Sequence, residues 1–117
     1  MKVENIKNSN YIISESVTIK DAMVAITDNR RGTVAVVDEN FHLIGVISDG
    51  DIRRNLIKGI SITAIIKNIV NYNPVSLYVE RDDLEKDAQK IFMENAAISL
   101  IPVIDSKNEL VSIYIRD

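Results

Sequence analysis

Short β-branched runs alternate along this chain with stretches whose apolar residues recur every three or four positions. The first helical stretch spans 18–29, with Ile19, Ala22, Met23 and Ile26 on one face, Thr18 as N-cap and Asp21 at the third helical position. Apolar runs at 33–38 and 43–48 flank a tight polar turn at 39–42, the pattern of an antiparallel hairpin. A short helix follows at 51–58, ended by Gly59, and a further helical pattern at 61–70 places Ile62, Ile65, Ile66 and Ile69 together. The stretch 71–74 breaks it at Pro74, and 75–79 is extended. A helix opening at Asp82 or Asp83 and running to about Asn95 carries Leu84, Ala88, Ile91 and Phe92. Strands at 99–105 and 110–115 enclose a turn at 106–109. Ahead of all this, 1–10 is a polar arm anchored by Val3 and Ile6, and 11–13 is briefly extended.

The pattern repeats. With an offset of 67, Val34-Ala35-Val36-Val37-Asp38 falls on Ile101-Pro102-Val103-Ile104-Asp105, and Leu43-Ile44-Gly45-Val46-Ile47 on Leu110-Val111-Ser112-Ile113-Tyr114. One residue of slippage brings Asp21-Ala22 onto Asp87-Ala88. Two strand–helix–strand–strand–helix units therefore make the chain, each too small to bury its own sheet, so the two pack about a pseudo-twofold axis. The expected class is α/β (α+β), two β-α-β-β-α repeats with pseudo-twofold symmetry. The boundaries are 1–10 for the arm, 11–60 for repeat 1, 61–72 for a linker helix, and 73–117 for a C-terminally incomplete repeat 2.

Composition narrows the function. The 117 residues make one compact domain, and 46% hydrophobic content with few aromatics suits an aliphatic α/β core. A net charge of −3 without a basic run argues against a nucleic-acid partner. Neither a signal region nor a membrane-length apolar run is visible, so a cytoplasmic protein is expected. With no cysteine, thiolate chemistry is excluded. His42 is the single histidine and sits in a turn, so no metal is expected. Asp38, Asp49 and Asp51 do not follow the calcium-loop spacing, and no nucleophile–base pair or phosphate-binding glycine loop is present. The chain alone reads as non-catalytic.

The candidate chemistry lies where the strand at 43–48 meets Ser48-Asp49-Gly50-Asp51 and then a helix. The first helical N–H groups lack intrahelical partners and suit an anion. Arg53 and Arg54 can fork onto phosphate oxygens, and a carboxylate beside them suits sugar hydroxyls. The plainer reading makes Ser48, Asp49 and Asp51 N-cap residues and the arginines a solvated face.

Gly45-Val46-Ile47-Ser48-Asp49-Gly50-Asp51 resembles the Gly-x-x-Thr/Ser-x-x-Asp nucleotide motif of CBS domains. Ile98 to Asp105 resembles that family's apolar segment ending in Pro-Val-x-Asp. The chain thus resembles a tandem CBS pair, the Bateman module, over essentially its whole length. Ser48 to Gly59 with Asn73-Pro74-Val75 is similar to pairs at the N-terminus of sugar-phosphate nucleotidyltransferases. Pairs trailing sugar-phosphate isomerases carry a similar Asp-Gly-Asp-x-Arg-Arg run.

The resemblance implies a regulatory module binding an adenine nucleotide (AMP, ADP or ATP), with Ser48 on phosphate, Asp51 on ribose, and Ile13 and Val34 flanking the base. It also implies a homodimer formed through the CBS helices, with a C-terminal nucleotidyltransferase domain in the full-length protein. In the second repeat Ser112 replaces the motif glycine and Ile115 the hydroxyl, and the carboxylate position falls after Asp117. One working site per chain, in the first repeat, is expected. The alternative is a ligand-free dimerisation scaffold using exposed apolar faces on 62–69 and 84–92.

Overall fold

The computed structural model describes residues 1–116. Strand β1 (Lys2–Val3) precedes β2 (Ile12–Ser14), α1 (Ile19–Asn29), β3 (Thr33–Val37), β4 (Leu43–Ser48) and α2 (Asp49–Ile57). After a single 3-10 turn at Ile66–Asn68 come β5 (Leu77–Tyr78), α3 (Leu84–Glu94), β6 (Leu100–Ile104) and β7 (Leu110–Ile115). One sheet has the order β2-β3-β4 and the other β1-β7-β6-β5. In each, the first strand of the repeat runs parallel to the second, and the second and third form an antiparallel hairpin.

Helix α1 starts as its sequence dictates. Thr18 Oγ1 accepts from Asp21 N while Asp21 accepts from Thr18 N, a complete capping box. The helix expected over 61–70 is absent apart from the 3-10 turn, because that segment has another task. Its carbonyls at Ala64 and Ile62 accept from Ile19 N and Lys20 N, two α1 donors that no helical bond can reach. Four isoleucines among its ten residues, branched at Cβ, concede little by staying extended.

Three cores follow from strand alternation. Val34 and Val36 of β3 face α1, whereas Ala35 and Val37 face the other sheet. In β6, Ile101 and Val103 face α3, while Leu100 and Ile104 face back. The layer between the sheets, with Leu43, Leu110, Ile113 and Ile115, joins the two halves. Ile66 and Ile69 are buried against the α1 core, and Leu84, Ala88, Ile91 and Phe92 pack against β6 and β7. The apolar faces expected to be exposed at 62–69 and 84–92 are therefore mostly core. Ile62 and Ile65 remain exposed.

Symmetry extends to hydrogen bonds. Asp38 and Asp105 each accept two backbone N–H groups within their turns, and Phe41 and Asn108 share a positive φ, 65° and 64°. The two turns then exchange bonds across the axis, Leu43 N to Asn108 O and Leu110 N to Phe41 O. The arm belongs to this scheme as well. Val3 of β1 pairs with Ile113, as Asn71 bridges to Val46 in the first half. Each repeat is thus completed by a piece of chain that precedes the other.

Candidate functional site

Strand β4 leads directly into α2, which begins two residues earlier than its sequence pattern predicts. Ser48 is the N-cap: its Oγ accepts from Asp51 N at 3.2 Å, and Asp51 Oδ2 accepts from Ser48 N at 3.0 Å. The remaining carboxylate oxygen, Oδ1, accepts from Arg54 Nη2 at 2.6 Å. The capping role and a binding role are compatible. Ser48 Oγ accepts a hydrogen bond in the cap, which leaves its own O–H to donate elsewhere. Asp51 keeps further lone pairs on a side chain that is 21% exposed.

Three residues upstream of the cap, Gly45 explains why the motif opens with glycine. A Cβ there would stand 2.2 Å from Asn71 O and 2.6 Å from Val70 Cγ1. The connecting segment crosses β4 at that point, with Val46 N donating to Asn71 O and Asn71 N to Val46 O. Glycine lets the segment approach, and the segment supplies one wall of a cleft.

That cleft, about 330 Å3, lies between the halves. Thr33, Val46, Ser48 and Asp51 line it from the first half, and Asn71, Asn73, Pro74 and Val75 from the connection. Ala97, Ile98, Ser99 and Leu100 close it from the second half. Its floor is tied by Thr33 Oγ1 to Ser99 Oγ at 3.2 Å, and Ser99 Oγ donates to Arg31 O. Apolar walls with a few convergent polar groups, at a capped helix start, are what a small phosphorylated ligand requires. A larger open depression of about 840 Å3 runs along the outer face of α3, but it is lined almost wholly by solvated charges.

Of the seven residues expected at the site, the cleft gathers Ser48 and Asp51, with Arg54 attached to Asp51 from the rim. Asp49 and Arg53 point to the opposite side of α2, beside Met23, Ile52 and Leu56. Ile13 and Val34 do not flank the cleft. They are 9% and 0% exposed in the α1 core, because both occupy the strand positions facing that helix. The apolar walls come instead from Pro74, Val75 and Ile98. In the sequence these residues belong to the motif segments but carry no site signal, since they reach Ser48 only through the pseudo-twofold packing.

In the second half the site chemistry is replaced. Ser112 is buried at the glycine position, and Ile115, at the hydroxyl position, is 0% exposed within the inter-sheet core. The carboxylate position lies outside the described residues. Among those residues no cluster suited to a metal ion occurs, and no helix is long and apolar enough to cross a membrane.

Residues 3–58 match the family model of the CBS domain. That segment is a CBS domain. A CBS domain is a regulatory module, not a catalytic one. The whole chain has the fold of a CBS pair. It superposes on a CBS domain pair/ACT domain protein from Thermotoga maritima with a TM-score of 0.73 at 20% identity, covering 98% of this chain and 89% of that one. A CBS domain protein from Pyrobaculum aerophilum, complexed with AMP, gives 0.72 at 20% identity, covering 98% and 87%. Among curated proteins, arabinose 5-phosphate isomerase GutQ of Salmonella typhi is 31% identical over 93 residues, which is 80% of this chain and 28% of that protein. An uncharacterised protein of Helicobacter pylori strain J99 is 33% identical over 102 residues, 87% of this chain and 30% of its own length. The chain therefore spans about 30% of the length of these curated relatives.

Proposed function

We propose that this CBS pair binds an adenine nucleotide in the cleft between its halves and passes the bound state to an attached sugar-phosphate enzyme. The observation that carries the reading is Ser48 and Asp51 placed side by side at a helix start that opens into that cleft. Ser48 O–H and the Gly50 N–H, which no helical carbonyl can reach, take phosphate oxygens. Asp51 takes ribose hydroxyls, and Val75, Pro74 and Ile98 offer apolar surface to a base. A ligand that favours one arrangement of the halves shifts the population toward it, and the attached domain senses that shift.

The class of enzyme is supported by the isomerase among the curated relatives, so an isomerase is favoured over the nucleotidyltransferase that the sequence resemblance suggests. Dimerisation through helices is part of the same reading. It is supported by Val24, Ile57 and Met93, which are 52%, 79% and 86% exposed on α1, α2 and α3. The deciding experiment is thermal unfolding with AMP, ADP and ATP in turn. A nucleotide at about 100 times its dissociation constant adds about 2.7 kcal/mol, a clear rise in Tm. The rise should vanish in Asp51→Ala. Absence of a rise with all three would replace this reading with a ligand-free dimerisation scaffold.

A further inference from the structure

Arg54 lies folded back over the first turn of its own helix. Its Nη2 donates to Asp51 Oδ1 at 2.6 Å, and its Nη1 would stand 3.0 Å from a Cβ built on Gly50. Ser48 Oγ is 3.7 Å from that same point. One guanidinium therefore sits over the residues assigned above to ribose and to phosphate, yet it stays on the rim and does not line the cleft.

Each Asp51 carboxylate oxygen already holds one donor. Oδ2 is held by Ser48 N and Oδ1 by Arg54, while a vicinal diol binds a carboxylate best by using both oxygens. A ribose diol that spans both oxygens crowds the Arg54 contact at Oδ1. The side chain of Arg54 is 65% exposed, so the ion pair is a surface pair and is readily broken. Once released, the guanidinium stands beside the helix start that receives the phosphate, and a planar fork matches phosphate oxygens in pairs.

We propose that Arg54 is the specificity-determining residue of the cleft. It occupies Asp51 when no ligand is present and transfers to the ligand's phosphate when ribose takes the carboxylate. A nucleoside must displace Arg54 without giving it a new partner, whereas a nucleotide supplies one. The cleft then selects phosphorylated nucleosides over nucleosides through exchange at one carboxylate. This rests on the reading that an adenine nucleotide binds here.

The test is calorimetric titration of AMP and adenosine into the chain, Arg54→Ala and Arg54→Lys, with thermal unfolding to verify that each variant folds. In Arg54→Ala, AMP should bind about tenfold more weakly and adenosine no more weakly than before, so the AMP-to-adenosine ratio of affinities falls about tenfold. Arg54→Lys should restore part of that ratio. AMP binding with an unchanged ratio in Arg54→Ala overturns the proposal and leaves the nucleotide reading standing. Equal weakening of both ligands also overturns it, by making Arg54 a structural support. Failure of both ligands to bind the unmodified, folded chain overturns the nucleotide reading and this proposal with it.

Discussion

Strands β4 and β7 end differently although the hairpins they belong to are near copies. In β4 the last residues are Gly45, Val46, Ile47 and Ser48; in β7 their counterparts are Ser112, Ile113, Tyr114 and Ile115. Backbone bonds at the two ends still match, Asp49 N to Gly32 O and Arg116 N to Ser99 O, both 2.9 Å. The side chains obey different demands. Ile115 is fully buried at the position where Ser48 is only partly buried. Burying an isoleucine is worth about 1.5–3 kcal/mol, so a half under selection for stability alone has reason to keep isoleucine there. The first half forgoes that gain and holds a hydroxyl and a carboxylate at a cleft. The fold tolerates either choice, and in the first half the polar one caps α2 as well as facing the cleft.

Breaking the glycine end should have the largest effect. Gly45→Val drives a side chain into Asn71 O and Val70, and is expected to cost about 3 kcal/mol or more, measured by urea unfolding. The counterpart change, Ser112→Gly, removes a small buried side chain from a strand and should cost about 1 kcal/mol or less. A cost under about 1 kcal/mol for Gly45→Val would refute the idea that the connecting segment leaves no room for a side chain there.

A second substitution separates core from cleft. Val34→Ala should lower stability by about 2 kcal/mol while leaving nucleotide affinity unchanged, since Val34 packs against α1 and does not line the cleft. A loss of affinity at full stability would restore Val34 to the base wall.

Val34 also marks where sequence stops being informative. Capping residues, strand alternation and the offset of 67 are local or periodic signals, so Thr18, Asp21, both hairpins and the cleft's Ser48 and Asp51 are legible without coordinates. Which face of β3 meets a helix and which meets the second sheet depends on how the repeats pack, and nothing near Val34 in the chain records that. The same holds for Ile98 and Val75, which join the site across the pseudo-twofold axis. The 61–70 segment misled for a related reason: its isoleucine spacing is helical, but α1 needs its carbonyls for capping.

Asp51→Ala sharpens the comparison at the site itself. Loss of half the capping box should cost about 1 kcal/mol in the absence of ligand, with nucleotide binding abolished. Calorimetry of the unmodified chain should give one nucleotide per chain, because Ile115 occupies the second half's hydroxyl position. A stoichiometry of two would mean that the second half binds by other groups.

The smallest expected difference lies in the turns. The backbone N–H of His42, chiefly, together with that of Asn40 and the His42 ring, holds the Asp38 carboxyl below its usual value of 3.8, against a partial opposing effect of burial. A carboxyl lowered on folding contributes stability that is present above its unfolded pKa and is lost as pH falls through its folded one. NMR titration of Asp38 should therefore give a midpoint under 3.8, and Asp38→Asn should matter to Tm at pH 6 but not in strong acid. In the second turn Asp105 accepts the matching backbone bonds, but Glu109 stands where His42 does. His42→Glu copies that turn into the first half and keeps the dominant backbone donor. It should raise the Asp38 midpoint, because the imidazole's share is lost and a second carboxylate is brought beside the first while the backbone donors remain. A midpoint at or above 3.8 in the unmodified chain would show that these turn bonds do not favour the charged form.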